Sequence, residues 1–469
     1  MLSVAAGVNV SIAGPAFGKV KWSTGISRFV TGDTARAVGY LLAGGLAFFA
    51  PILDGRVNEL TAAIGTIAPF ALLAVVALIS TDGPIFEFFA RNGDREEGRL
   101  YSLASFSLGV TALAVLFVAL GLPLAAFVAS VFVLTAGNVG QRLAVLRVPV
   151  PAVGASAFAI AGTVAGTAAV LVSGQLGSAV PPLPLTVFVT ASGALVGALV
   201  RSILSPRDDS LVLLSAALII WFLLGLELAL GIERIVVGIA VTVALGYVAY
   251  ALGTASVTGM LSGVLLALWA IVLGGYGWFV LLMTFFGLGG LASKYRYDEK
   301  IARGIAQEND GARGSGNVLA NSAAALIAVV AYAASNHVGI DPLVFQFAFG
   351  GAVAAALADT FSSEFGGLFD EPRLITTFER VDPGTDGGVT WQGAVAGSVG
   401  SGIIAALAWV FFEFSTIAII AILAAGILGM VVDSIFGATL EGEYLGNQAV
   451  NLLATLSAGL AAALVAVVI

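Results

Sequence analysis

Two stretches of this chain place carboxylates inside sequence otherwise apolar enough to cross a membrane. One reads Ala358-Asp359-Thr360, followed by Ser363-Glu364 and Gly366-Gly367; the other reads Gly429-Met430-Val431-Val432-Asp433-Ser434. A carboxylate near the centre of a membrane helix costs about 2.5–3.5 kcal/mol, so such residues are functional candidates by default. On a helix, Asp359 and Ser363 share a face at i,i+4. Glu364 lies about 140° around from Asp359 and reaches the same site only if the helix ends nearby, which Gly366-Gly367 permits. Polar groups recur close to both stretches. Lys300 and Arg313 bracket a glycine-containing loop that runs into Asn317 and Asn321, again i,i+4. Asn447 and Asn451 repeat that spacing at the start of the last apolar segment. Between Asp382 and Thr390 the chain reads Pro383-Gly384-Thr385-Asp386-Gly387-Gly388-Val389. Backbone N–H groups of such a loop form an anion-binding nest, although the same pattern also makes a plain turn. Carboxylates hold Mg2+ through oxygen, cations neutralise phosphate, and phosphoryl transfer needs mostly positioning and charge stabilisation. No Walker A motif occurs, which excludes a P-loop kinase. A single histidine and no cysteine exclude multi-histidine and thiolate metal sites.

The elements that must position these residues follow from composition. Of 469 residues, 59% are hydrophobic and 10% charged, against roughly a quarter charged in soluble domains. The chain is therefore expected to be an all-α polytopic membrane protein. Hydropathy places about 15 spans, the first near 35–53 and the last near 450–469. The 59 glycines suit tightly packed membrane helices. With the N-terminus inside, 18 of the 20 cations fall on the cytoplasmic side and only Arg56 and Arg234 outside, as the positive-inside rule requires. The polar loops near 81–100, 294–316, 362–391 and 438–449 then share the cytoplasmic face. Residues 1–34 read as a leader, 35–244 as one membrane domain and 245–469 as a second. No strict internal repeat is evident: Ser192–Val200 and Gly350–Ala358 look alike, but small-residue helices match by composition alone. There is no basic excess that would suit nucleic acid.

The second half resembles a known family. Asn317-Val-Leu-Ala-Asn321, Asp359-Thr360 with Ser363-Glu364, Pro383-Gly384-Thr385 with Gly387-Gly388, Asp433-Ser434 with Gly437-Ala438-Thr439, and Asn447 with Asn451 occur in order. They are similar to the transmembrane protein 19 family, also known as domain of unknown function 92, which includes the plant phytyl-phosphate kinases. The resemblance covers about 245–469 and departs at Asn317 and Glu441, where glutamine is expected. It implies transfer of phosphate from a nucleotide to a prenyl monophosphate. Asn138-Val139-Gly140-Gln141-Arg142 and Arg201-Ser202, with Asp208-Asp209-Ser210, look more distantly like the dolichol and phytol kinase group. That group carries an aspartate at Asn138, a glutamate near Ser202 and an asparagine at Ser210. Two lost carboxylates imply a degenerate first domain.

The expected activity is a polyprenyl-phosphate kinase in isoprenoid lipid metabolism, acting on phytyl or geranylgeranyl phosphate. Asp359, Glu364 and Asp433 are the expected Mg2+ ligands. Lys300, Arg313, Gly384, Thr385, Gly387 and Gly388 are expected at the phosphates. Ser363, Ser434, Asn317, Asn321, Asn447 and Asn451 are expected to orient substrate or nucleotide. CTP or ATP is the expected donor and the lipid bilayer the expected partner, with the active face on the cytoplasmic side of the plasma membrane. The rival readings are a secondary transporter, which the intramembrane acids would also suit, and a structural membrane protein without catalysis.

Overall fold

The computed structural model describes residues 24–204, 208–251, 256–306 and 315–469. The chain starts with α1 (Thr24–Gly44), which runs through a short 3-10 turn into α2 (Phe49–Leu53); α3 (Glu59–Ile79) and two short helices, α4 (Gly83–Phe89) and α5 (Asn92–Glu97), follow. The first half continues with α6 (Tyr101–Leu120), α7 (Leu124–Arg147), α8 (Pro151–Gln175), α9 (Leu183–Ile203), α10 (Asp209–Gly225) and α11 (Ile232–Ala251). Next, α12 (Val257–Trp269) passes through a π-turn into α13 (Tyr276–Lys294), followed by the short α14 (Tyr297–Ala302), α15 (Ser315–Ala333) and the short α16 (Ser335–Val338). The last part holds α17 (Pro342–Gly366), a hairpin of β1 (Arg373–Leu374) and β2 (Gly388–Val389), then α18 (Trp391–Phe412), α19 (Thr416–Thr439) and α20 (Asn447–Val468).

Thirteen helical segments among the described residues are long and apolar enough to cross a membrane, and Asp209–Gly225 and Val318–Ala333 are shorter apolar helices. The protein is an all-α polytopic membrane protein. Helix starts are written in the sequence. Pro151 and Pro342 occupy the first turns of α8 and α17, where a missing N–H loses nothing. Thr390 and Ser415 cap α18 and α19 by accepting from Gly393 N at 3.1 Å and Ala418 N at 3.3 Å.

Small residues decide how closely these helices approach. A methyl group at Gly351 of α17 would sit 2.7 Å from the backbone oxygen of Ala458 on α20, and one at Gly400 of α18 would sit 2.9 Å from the oxygen of Leu357 on α17. Backbone contact replaces the hydrophobic drive that lipid does not supply. Large apolar side chains such as Leu60, Ile64, Leu72 and Val75 of α3 stay exposed, as a lipid-facing surface requires.

The contacts reveal an arrangement that composition hid. In the first half α7 touches α8, α9 and α10, with α8 against α9 and α9 against α10; α1 lies on α7 and α6 on α10. In the second half α17 touches α18, α19 and α20, with α18 against α19 and α19 against α20; α13 lies on α17 and α15 on α20. The two bundles share one pattern of helix contacts, although the sequence carries no strict repeat. Their correspondence pairs α9 with α19, whereas the two similar phrases in the sequence belong to α9 and α17. Trp269 Nε1 of α12 donates to Ser192 Oγ of α9 at 3.0 Å, which ties the two halves together.

The segment 81–100, expected to be a polar loop, instead folds back on the bundle. Phe86, Ala90, Asp94 and Leu100 are all buried. Asp94 accepts from the backbone N–H groups of Arg91 and Ser102, each at 3.0 Å, so its charge is spent on holding the turn.

Candidate active site

Helices α17 and α19 end on the same side of the second bundle as α18 and α20 begin, and a cavity of about 970 Å3 opens there. Its walls come from the turn after α14, from α15, α17, the hairpin, α19 and the start of α20. These are the polar loops of the second half, brought to one end.

Asp359 of α17 and Asp433 of α19 both line the cavity and their carboxyl groups lie within hydrogen-bond reach of each other. One oxygen of Asp433, Oδ1, is buried and has no hydrogen-bond partner. Two carboxyls placed in this way can hold a cation between them. Each sits about two turns, roughly 10 Å, from the end of its helix.

The hydroxyls beside the pair are partly committed. Ser363 Oγ donates to Thr360 O at 3.2 Å and Ser434 Oγ to Met430 O at 3.1 Å, which leaves their lone pairs facing the cavity as acceptors. Amides follow at the wall. Asn451 Nδ2 donates to Asn447 Oδ1 at 3.2 Å, and both residues line the cavity with Asn321 and Gln448.

The glycine hairpin forms the opposite wall. Thr385 donates both its N–H and its hydroxyl to Asp382 O, at 3.1 and 2.8 Å, and Gly388 N–H bonds to Thr385 O at 2.9 Å. The N–H groups of Gly384, Asp386 and Gly387 make no such bond among the described residues, so the loop keeps free donors beside the cavity. Gly387 has φ +73°, and a methyl group there would lie 2.6 Å from Ser434 O and Ala438 N. Only glycine lets the hairpin tip rest on the α19 backbone next to Asp433. Gly387→Ala is expected to push the tip away from α19 and to weaken phosphate-ligand binding at least tenfold with little loss of helix content; titration calorimetry beside circular dichroism checks both.

The structure departs from expectation at Lys300 and Glu364. Neither lines the cavity. Lys300 is 1% exposed, and its Nζ donates to Glu364 Oε2 at 2.6 Å and to Ala292 O at 2.8 Å. This pair fastens α14, the C-terminal end of α13 and α17 together. The reason is angular: α17 stays helical to Gly366, so Glu364 points away from the Asp359 face. The expected metal set of three carboxylates is therefore reduced to two, and no cluster of three metal-ligating side chains occurs among the described residues. Arg313 lies outside the described residues, as does the side chain of Asn317. Asp359, Ser363, Asn321, Gly384, Thr385, Gly387, Gly388, Asp433, Ser434, Asn447 and Asn451 all meet at the cavity.

Two acids at the cavity were not anticipated, Asp386 and Glu441. The signal for Glu441 is its place two helical turns beyond Asp433, just past the end of α19. Burial holds the Glu441 carboxyl above its ordinary value, with Asp386 adding to the rise, a bond from Asn447 opposing it, and Asp433 contributing further. A raised acid contributes stability below its unfolded pKa, near 4.3, and that contribution is lost as pH rises through the folded value. Glu441→Gln is thus expected to flatten the fall in thermal stability over the mildly acidic range above that value, as a melting series across pH would show.

Among the described residues the cavity is lined by four carboxylates and no cation: Asp359, Asp386, Asp433 and Glu441. The donor set fits Mg2+, which is held by one or two carboxylates and completes its shell with water and phosphate oxygens; Asp433 Oδ1, buried and without a hydrogen-bond partner, is an oxygen of the kind such an ion takes.

Comparison with known proteins covers the same half of the chain. A family model described as integral membrane protein DUF92 matches residues 240–459, which contain every wall of the cavity. An uncharacterised membrane protein of Methanocaldococcus jannaschii is 37% identical over 194 residues, 41% of this chain and 77% of that protein. An uncharacterised membrane protein of Synechocystis is 32% identical over 189 residues, 39% of this chain and 71% of that protein. The chloroplastic protein VTE6 of Arabidopsis thaliana is 30% identical over 183 residues, 37% of this chain and 54% of that protein. No solved structure matches.

Proposed function

The chain belongs to the integral membrane protein family DUF92, and on that premise we propose that it is a prenyl-phosphate kinase. It transfers a phosphoryl group from a nucleoside triphosphate, CTP or ATP, to a membrane-embedded prenyl monophosphate such as phytyl or geranylgeranyl phosphate. The observation that carries this reading is the Asp359–Asp433 pair, contributed by two different spans and facing a cavity walled by a glycine hairpin and amides. In the reaction an oxygen of the prenyl phosphate bonds to the γ-phosphorus as the bond from that phosphorus to the β-phosphate oxygen breaks, giving prenyl diphosphate and nucleoside diphosphate. The attacking oxygen is already anionic, so no strong base is needed, and positioning dominates.

Asp359 and Asp433 would hold Mg2+, which neutralises the phosphates when bound. The N–H groups of Asp386 and Gly387, which make no backbone bond among the described residues, would serve as donors for phosphate oxygens. Asn321, Asn447 and Asn451 hydrogen-bond nucleotide or headgroup, and Ser363 and Ser434 accept from substrate hydroxyls. The prenyl chain stays in lipid. The count of cations around the spans supports a cytoplasmic active face. The site's place near one end of its helices favours phosphotransfer over a carrier, whose site belongs at the midplane.

The test is the purified chain in nanodiscs with geranylgeranyl phosphate, MgCl2 and either nucleotide. Mass spectrometry should find the diphosphate with at least one donor. No diphosphate with either donor, together with substrate flux in nucleotide-free proteoliposomes, would overturn the kinase in favour of a transporter.

A further inference from the structure

The shared topology of the two bundles places a second cavity where the first bundle's counterpart of the active site belongs. Aligning α9 with α19 matches Gly197-Ala198-Leu199-Val200-Arg201-Ser202-Ile203 to Gly429-Met430-Val431-Val432-Asp433-Ser434-Ile435. Aligning α7 with α17 at the acid matches Asn138 to Asp359 and Gln141 to Ser362. A cavity of about 370 Å3 is lined by Gln141, Arg201 and Ser202, the counterparts of residues that line the larger cavity, and by Ser256 and Thr258 at the N-terminus of α12.

The charge is inverted between the two. The larger cavity has four carboxylates and no cation among its described lining residues. The smaller has Arg201 as the sole charged residue among its described lining residues. Asp209 cannot serve a metal: it is buried, its Oδ2 is taken by Arg91 at 2.7 Å and its Oδ1 by Arg201. Among the described residues Arg201 is bonded only through Nη1, to Asp209, and the guanidinium lines the cavity. The first turn of α12 adds the backbone donors that the Ser256 cap leaves over, with the positive end of a helix dipole, and Gln141 and Thr258 add side-chain donors, while Ser202, whose hydroxyl is donated to Leu199 O at 2.7 Å, is an acceptor.

We propose that this cavity is a phosphate-monoester site that works without a divalent cation. The guanidinium of Arg201 stands where the active bundle has Asp433 and supplies in fixed form the positive charge that the other site obtains from a metal. The phosphate group is either the headgroup of a lipid monophosphate or free phosphate.

The test uses the full chain in detergent with EDTA and two probes, inorganic phosphate and farnesyl phosphate, by titration calorimetry. Binding of one or both is expected, weakened about tenfold or more by Arg201→Gln, the scale of a lost hydrogen bond to a charged group. Asp433→Asn should leave it unchanged. Because Arg201 also pairs with Asp209, Gln141→Leu serves as a second variant that spares the ion pair, with the same loss expected. Farnesyl phosphate binding alone identifies a lipid headgroup, inorganic phosphate alone a free ion, and both a site for the phosphate group itself. Failure of both probes in EDTA, binding that both variants leave intact, or binding abolished by Asp433→Asn overturns the proposal. None of these outcomes depends on kinase activity.

Discussion

Asp359→Asn and Asp433→Asn are each expected to lower diphosphate formation by about two to three orders of magnitude, the scale on which one preorganised electrostatic group contributes about 2.7–4 kcal/mol. The two carboxyls come from different spans and meet inside the cavity. Removing either charge leaves the other without its partner in holding a cation, so the two losses should not add. The double variant is expected to fall no more than about tenfold below either single one, as for residues that act as a unit. Asparagine keeps volume and an oxygen ligand, so folding should survive and the melting temperature should move little or rise, because a like-charge contact is relieved. Steady-state assays of the single and double variants, beside their melting curves, check this. Full additivity of the two losses would show that the aspartates do not share one site.

Lys300→Met and Glu364→Gln are expected to have the largest effect on stability. Lys300 is 1% and Glu364 5% exposed, and the bond between them is 2.6 Å. Breaking a buried pair from one side costs about 3–5 kcal/mol, because the remaining charge stays buried without compensation. Lys300→Met strands a carboxylate whose Oε1 already lacks a partner, and it also removes the bonds to Ala292 O and Ser293 O that close the end of α13. The double variant Lys300→Met with Glu364→Leu should recover most of the loss, since apolar replacement of a whole buried pair is often neutral. Thermal unfolding in detergent reads this directly. If Glu364 were instead a metal ligand, Glu364→Gln would melt like the parent chain and lose Mg2+-dependent nucleotide binding.

The way Glu364 differs from Asp359 shows how much of the site could be read from residues in order. Both are acids beside hydroxyls near a helix end, and spacing alone left Glu364 within reach if the helix stopped early. The helix continues to Gly366 and turns Glu364 away, towards a lysine 64 residues earlier. No local pattern announces that partner. Asp386 and Glu441 were given no place in the site for the opposite reason. Each looks like an ordinary loop acid, and only closure of the hairpin on α19 makes them wall the cavity. The hairpin itself was legible as glycine-rich, but its contact with α19 depends on a backbone approach at Gly387 that no periodicity encodes.

The sequence by itself determined that the chain lives in a membrane, where its helices run, and which end of the second half gathers polar groups. Those properties follow from sums over neighbouring residues: apolar length, proline and serine at helix starts, and scarce charges whose positions are individually readable. The tertiary structure alone decided which acids meet, which ones are tied up in buried pairs, and that two bundles repeat one topology with opposite charge at matching positions. The physical reason is that small-residue helices carry little register information in their composition. Register is set by close contacts between glycine and alanine faces, such as Gly351 on Ala458 and Gly429 on Ala454. Only once those faces lock does Asp433 come to Asp359, and Arg201 to the matching place in the first bundle.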